Sequence, residues 1–92
     1  MYLRVSRGRW DPTKHDELAR LVPNALAAIR KLPGCQDARN GVERSTGRTV
    51  TVATFDTLEQ AQFSRDSLGE PFVRLQAAGW QGEAPEIYET ME

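Results

Sequence analysis

The chain has 92 residues, 12 Lys and Arg against 13 Asp and Glu, and a formal net charge of −1. That length suits one small domain, residues 1–92. Interspersed charge excludes the clustered Lys/Arg footprint of a polynucleotide binder, and no apolar run approaches the ~20 residues that cross a bilayer. Cys35 is the only cysteine, so no intrachain disulfide can form. With no signal-like segment at Met1–Val5, the lone thiol points to a reducing, cytoplasmic setting. The one dense basic run, Arg4, Arg7 and Arg9, reads as a solvated or ligand-facing edge.

Residues 1–10 alternate, with Leu3 and Val5 pointing one way and Tyr2, Arg4 and Ser6 the other, which predicts a strand with two unlike faces. Asp11-Pro12 is a helix entry, an N-cap acceptor followed by proline. Leu18, Leu21, Val22, Ala25, Ile29 and Leu32 then form one apolar stripe. Pro23 lies inside it and is expected to kink or break the helix. Pro33-Gly34 ends it. A weakly patterned strand carrying Ala38 and Val42 follows, and Ser45-Thr46-Gly47 supplies a hairpin turn. Thr49–Phe55, rich in β-branched residues, is the strongest strand signal.

Asp56 with Glu59, or Thr57 with Gln60, can form a capping box. The second helix is expected to carry Leu58, Ala61, Arg65 and Leu68 and to stop at Gly69. Pro71 restarts a short helix with Phe72, Leu75 and Ala78 inward. Gln81–Pro85 reads as a loop, and Glu86–Met91 as the last strand. The order strand, helix, strand, strand, helix, strand is the α+β, ferredoxin-like βαββαβ plan, with an antiparallel sheet and both helices on one face. Hydropathy places Leu3, Val5, Val50, Val52 and Ile87 under the helices. The opposite face then carries Tyr2, Arg4, Ser6, Thr49, Thr51, Ala53, Phe55, Tyr88 and Thr90, a mixture of aromatics and hydroxyls suited to a semi-polar cavity closed by a second sheet. A chain this short is expected to gain core and pocket by dimerising.

Leu32-Pro33-Gly34, the hairpin, and Thr54-Phe55-Asp56-Thr57-Leu58-Glu59-Gln60-Ala61 resemble the antibiotic biosynthesis monooxygenase (ABM) family of the dimeric α/β-barrel superfamily. The resemblance covers almost the whole chain. It implies a dimeric α/β barrel, a homodimer whose sheets face each other around a cavity. It also implies oxidation of polyketide-type phenols to quinones by O₂ without metal, flavin or haem. Members often carry tryptophan where strand three meets the second helix; Phe55 stands there instead and lacks an indole donor. Asn40 is a candidate match for a sheet asparagine of active members. Haem-degrading relatives need a histidine ligand, and the only histidine, His15, falls in the first turn of helix one.

On these grounds the substrate-binding candidates are Tyr2, Arg4, Ser6, Thr51, Phe55 and Tyr88, with no catalytic residue assigned. Arg4 can hold a phenolate or carboxylate through its donor fork, or pair with Asp37 or Glu89. Tyr2 and Tyr88 can position a ring or pack a dimer. Ser6 and Thr51 can orient a ligand oxygen. Phe72 and Trp80 fall in a segment that covers the cavity mouth or caps the core. His15 reads as an exposed first-turn residue, and Cys35 as a structural thiol. No metal-ligand spacing is present, and no cofactor is expected. Two readings remain: a cofactor-independent monooxygenase-like protein acting on an aromatic small molecule, and a non-catalytic or stress-related barrel that shelters one. An RNA-recognition module is excluded by the lack of aromatics across Gly47–Ala53.

Overall fold

The N-terminal alternation becomes β1 (Tyr2–Arg9), and the computed structural model describes residues 1–91 in all. There follow α1 (His15–Arg30), a hairpin of β2 (Cys35–Glu43) and β3 (Arg48–Phe55), α2 (Leu58–Ala61), α3 (Glu70–Ala77), β4 (Gln81–Gly82) and β5 (Glu86–Glu89). The strands lie in the order β2-β3-β1, and β4 and β5 share the far edge of β1. Every pairing is antiparallel. This is the α+β, ferredoxin-like plan, with β5 filling the last strand position and β4 extending it beside Gly8 and Arg9. The segment expected to be wholly loop therefore begins with a short strand, because Gln81 and Gly82 find open ladder positions on β1.

Local chemistry explains most boundaries. Asp11 Oδ1 accepts from the Thr13 amide at 2.9 Å and starts a single 3₁₀ turn that runs into α1. The helix continues unbroken from His15 to Arg30 despite Pro23. Pro23 lies on the exposed side of the helix, where its ring meets no core side chain, and no break results. Leu18, Ala25 and Ile29 are the buried part of the stripe. At α2 the Thr57–Gln60 pair makes the capping box, Thr57 Oγ1 accepting from the Gln60 amide at 3.2 Å while Gln60 Oε1 accepts from the Thr57 amide at 3.2 Å.

The hairpin turn is tied to the exit of β1. Glu43 accepts from the Thr46 amide at 3.0 Å and from the Ser45 hydroxyl, and Gly47 turns at φ +77°. The Trp10 amide then donates to the Gly47 carbonyl at 2.9 Å. A Cβ on Gly47 would lie 1.9 Å from the Trp10 carbonyl oxygen. Gly8 allows a second close approach, since a side chain there would meet the Trp80 indole at 2.6 Å.

The sheet faces are the reverse of the hydropathy assignment along β1 and β3. Directly paired residues share a face. Arg4 pairs with Ala53 and with Ile87, Ser6 with Thr51, and Gly8 with Thr49. This set, with Tyr2, Phe55 and Ala38, faces α1 and α3; Ala38, Ala53 and Phe55 are buried there. Leu3, Val5, Val50 and Val52 lie on the uncovered face, half-buried by their sheet neighbours alone. Only β5 matches the expected sides, with Ile87 inward and Tyr88 outward. Strict alternation reports that two faces differ, not which one the helices cover.

Gly47→Ala should cost about 2 kcal/mol or more, from positive-φ strain plus displacement of the Trp10 carbonyl. Urea unfolding of the variant measures it; a loss below about 0.5 kcal/mol would show the turn is not pinned in this way.

Candidate functional site

The core is split. One buried cluster gathers Ile29, Ala38, Ala53, Phe55, Ala61, Leu68 and Phe72; a second gathers Trp10, Leu18, Ala25 and Leu75. Trp80 packs against both. Between them, under the helices and against β1 and β3, lies a cavity of about 320 Å³. That is within the range of small-molecule sites. This cavity is built within one chain, between the sheet and its helices, on the side of the sheet opposite the bare face.

Its walls are mainly apolar, from Val22, Leu26, Ile29, Phe63, Leu68 and Phe72, among others. Among the described residues two arginines line it and no carboxylate does. Arg4 is 4 % exposed. Its Nη1 donates to the Ala61 carbonyl at 2.9 Å and to the Phe63 carbonyl at 2.5 Å, and its guanidinium lies 3.7 Å from the Phe63 ring centroid. These bonds stop α2. In a continued helix Ala61 O would accept from the Arg65 amide; Arg4 takes that place. Ser64 then opens a new 3₁₀ turn, Arg65–Leu68, through its side chain. The expected continuous helix through Leu68 is therefore cut after Ala61.

Arg65, released from α2, turns into the cavity. Its Nη2 donates to Ser6 Oγ at 2.7 Å and to the Glu83 carbonyl, and its guanidinium lies 5.2 Å from the Trp80 ring centroid. Burial, with the nearby Arg65 charge adding, pushes Arg4 down to about 10; burial also lowers Arg65. Among the described residues neither arginine has a carboxylate within salt-bridge distance. The expected pairing of Arg4 with Asp37 or Glu89 does not occur, and Asp37 instead approaches Arg39 at 3.5 Å. The cavity thus holds two partly desolvated cations with no counter-charge, an environment suited to an anion.

The sequence-predicted residues divide three ways. Arg4, Ser6 and Thr51 line the cavity, as does Asn40, the cross-strand neighbour of Thr51. Phe55 and Tyr2 lie on the same face but serve the core: Phe55 is fully buried, its ring 5.6 Å from Phe63, and Tyr2 packs against that cluster. Tyr88 stands on the opposite, open face, half-exposed, its hydroxyl donating to Glu86 Oε2 at 3.0 Å. Arg7 holds Glu86 from the other side and lowers its carboxyl, while the bond to Glu86 raises the Tyr88 phenol. Cys35 is half-buried, with burial raising its thiol.

Sequence reasoning missed Trp10, Arg65 and Phe63. Trp10 continues the Tyr2, Arg4, Ser6, Gly8 alternation, and Arg65 occupied an inward position of an otherwise apolar stripe; both signals were present. His15 is not an exposed first-turn residue: it is half-buried, lines the cavity and sets its ring edge-on to Trp10, centroids 5.8 Å apart. Phe72 and Trp80 line the cavity and pack edge to face at 5.9 Å. Trp80 Nε1 donates to Thr49 Oγ1 at 3.0 Å. Among the described residues no group of three or more His, Cys, Asp or Glu gathers to hold a metal ion, and no helix is long and apolar enough to cross a membrane.

No family model and no curated protein matches the chain. Solved structures do. A Nitrosomonas europaea protein, assigned provisionally as an antibiotic biosynthesis monooxygenase, superposes with a TM-score of 0.78 at 12% identity, covering 100% of both chains. A Deinococcus radiodurans protein with the same provisional assignment gives 0.77 at 16%, covering 100% of this chain and 94% of that one. SnoaB, a cofactor-independent oxygenase from Streptomyces nogalater, gives 0.70 at 16%, covering 99% and 93%. At these identities the likeness establishes the fold.

Arg4 and Arg65 should separate in stability. Arg4→Ala strands two carbonyls and leaves a void, for about 2–3 kcal/mol; Arg65→Ala, at the half-exposed rim, should cost under about 1 kcal/mol. Chemical denaturation of both variants checks the order, and equal losses would show that Arg4 does not terminate α2.

Proposed function

We propose that this protein is a cofactor-independent monooxygenase of the ABM type, which binds an aromatic, polyketide-like phenol in the helix-side cavity as its anion. The observation that carries this reading is a mainly apolar cavity of about 320 Å³ lined by Arg4 and Arg65 and, among the described residues, by no acid. Paired guanidinium groups in a desolvated site lower the pKa of a bound phenol, and the phenolate is the electron-rich form that O₂ oxidises. Conversion to the quinone breaks a ring C–H and the phenolic O–H. One oxygen atom enters the ring and the other leaves as water with the two hydrogens; the substrate supplies all four electrons. In this role the protein orients the ring between Phe63, Phe72 and Trp80, stabilises the anion and excludes bulk water.

The alternative is a non-catalytic barrel that shelters the same kind of molecule. Phe55 in place of tryptophan favours it, as does the absence of a carboxylate base from the cavity walls.

The homodimer is part of the proposal. Leu3, Val5, Val50 and Val52 form a half-buried apolar stripe on the bare sheet face, bordered by Arg7, Glu86 and Tyr88. A second copy of this face is the occupant that hides all of it symmetrically. Single-domain, cytoplasmic residence accompanies this reading.

The test is O₂ uptake and quinone absorbance with a panel of polycyclic phenols in chelator-treated buffer. Turnover is expected, falling at least about tenfold in Arg65→Ala, the loss of one charge-assisted bond. Saturable binding without O₂ uptake would select the sheltering role, and absence of both would sink the proposal. Val52→Asp should convert a dimer to a folded monomer in sedimentation velocity; a wild-type monomer would remove the facing-sheet assembly.

A further inference from the structure

Among the described residues, two buried side-chain polar atoms have no partner: Trp10 Nε1 and His15 Nδ1. Both side chains line the same cavity as Arg4 and Arg65. Trp10 is 6 % exposed, its ring edge-on to His15. The two nitrogens are not bonded to one another. Buried donors and acceptors are nearly always satisfied, so an orphaned pair in one wall requires an explanation. The other tryptophan shows the ordinary outcome, since Trp80 Nε1 already donates to Thr49.

The orphans and the arginines occupy different ends of the cavity. Arg65 meets β1 at Ser6, whereas Trp10 follows the last residue of that strand. Four residues of extended chain separate them, roughly 13 Å at ~3.3 Å per residue. Between the ends the walls combine apolar and aromatic side chains with Thr49, Thr51 and Asn40, and the Thr49 hydroxyl is already taken by Trp80 Nε1. The position of Trp10 is held firmly, because its amide donates to Gly47 O and the turn glycine packs on its carbonyl. A fixed indole N–H can only donate. His15 Nδ1 accepts in one tautomer and donates in the other. A hydroxyl satisfies a donor beside an acceptor, and a carbonyl oxygen satisfies two donors.

We infer that Trp10 and His15 form a second recognition pole, so that the ligand is an elongated, fused-ring anion carrying an oxygen substituent at the end remote from its charge. The inference rests on the anion-binding reading of the Arg4–Arg65 end and specifies what that reading leaves open, the far end of the molecule. Trp10 and His15 are specificity-determining here, and the arginines supply the common affinity.

The test compares two probes, 2-naphthoate and 6-hydroxy-2-naphthoate, by calorimetry on the intact protein. The hydroxylated probe should bind about tenfold more tightly, one well-made hydrogen bond to a buried orphan. Trp10→Phe and His15→Leu should each erase most of that preference while leaving 2-naphthoate affinity within about twofold. Arg65→Ala should weaken both probes alike. Independently of any variant, the Trp10 indole N–H resonance should move on adding the hydroxylated probe and stay put with 2-naphthoate, with the Trp80 indole as internal reference. Equal binding of the two probes, as when ordered water fills this end, would overturn the second pole and leave the anion site standing. Failure of either naphthoate to bind removes the anion site and this inference with it.

Discussion

The buried guanidinium of Arg4 is the constraint around which the helical layer is arranged. A strand residue on the covered face of a sheet is normally apolar; this one is a cation that burial drives to about 10. Its partners are backbone carbonyls, at Ala61 and Phe63, and the face of Phe63. By taking those carbonyls Arg4 ends α2 after a single turn. It thereby turns Arg65 out of the helix and towards Ser6. One side chain therefore sets where the helix stops, where the second cation points and how wide the gap between the two core clusters stays. Helix-to-sheet closure across a continuous apolar core would have left no cavity at all.

That arrangement also explains the limits of the sequence. Element order was legible from Pro33-Gly34, the β-branched run Thr49–Phe55 and the Thr57–Gln60 cap, because each is a local signal with a local cause. The break after Ala61 was not, since it is made by a residue 57 positions away. The face assignment failed for a related reason. Hydropathy put Leu3, Val5, Val50 and Val52 under the helices, which is correct only if one face of the sheet is wet. Here both faces are partly desolvated, one by the helices and a polar-ended cavity, the other as a bare apolar stripe. When each face has its own burial, the more hydrophobic one need not be the one the chain itself covers.

The consequence for the site is concrete. Arg4, Ser6 and Thr51 reached the cavity by the sequence argument although the side of the sheet was wrong, because alternation kept them together. Tyr88 did not, since β5 pairs with β1 in a register that turns it outward beside Leu3. Trp10 and Arg65 lay outside the candidate set for different reasons. Trp10 stands at the end of the strand pattern, where alternation alone does not mark it as inward. Arg65 stands in a helical pattern that the fold does not continue.

The likeness to solved oxygenase-type structures and the chemistry of the cavity carry different weights. The former fixes the path of the chain, at identities where side chains are free to differ. The latter depends on residues that belong to this sequence: two arginines without a carboxylate, and an indole and an imidazole without partners. Because the cavity is walled by the chain's own α1, α3 and Trp80, its lining comes from a single chain, and a second copy on the bare sheet face would meet only the far side of β1 and β3. Those strands present Val5 and Val52 to one side and Ser6, Thr51 and Ala53 to the other. The proposed ligand site and the proposed assembly surface would therefore lie on opposite sides of a single layer of backbone, separated only by the strand that carries Arg4 and Ser6.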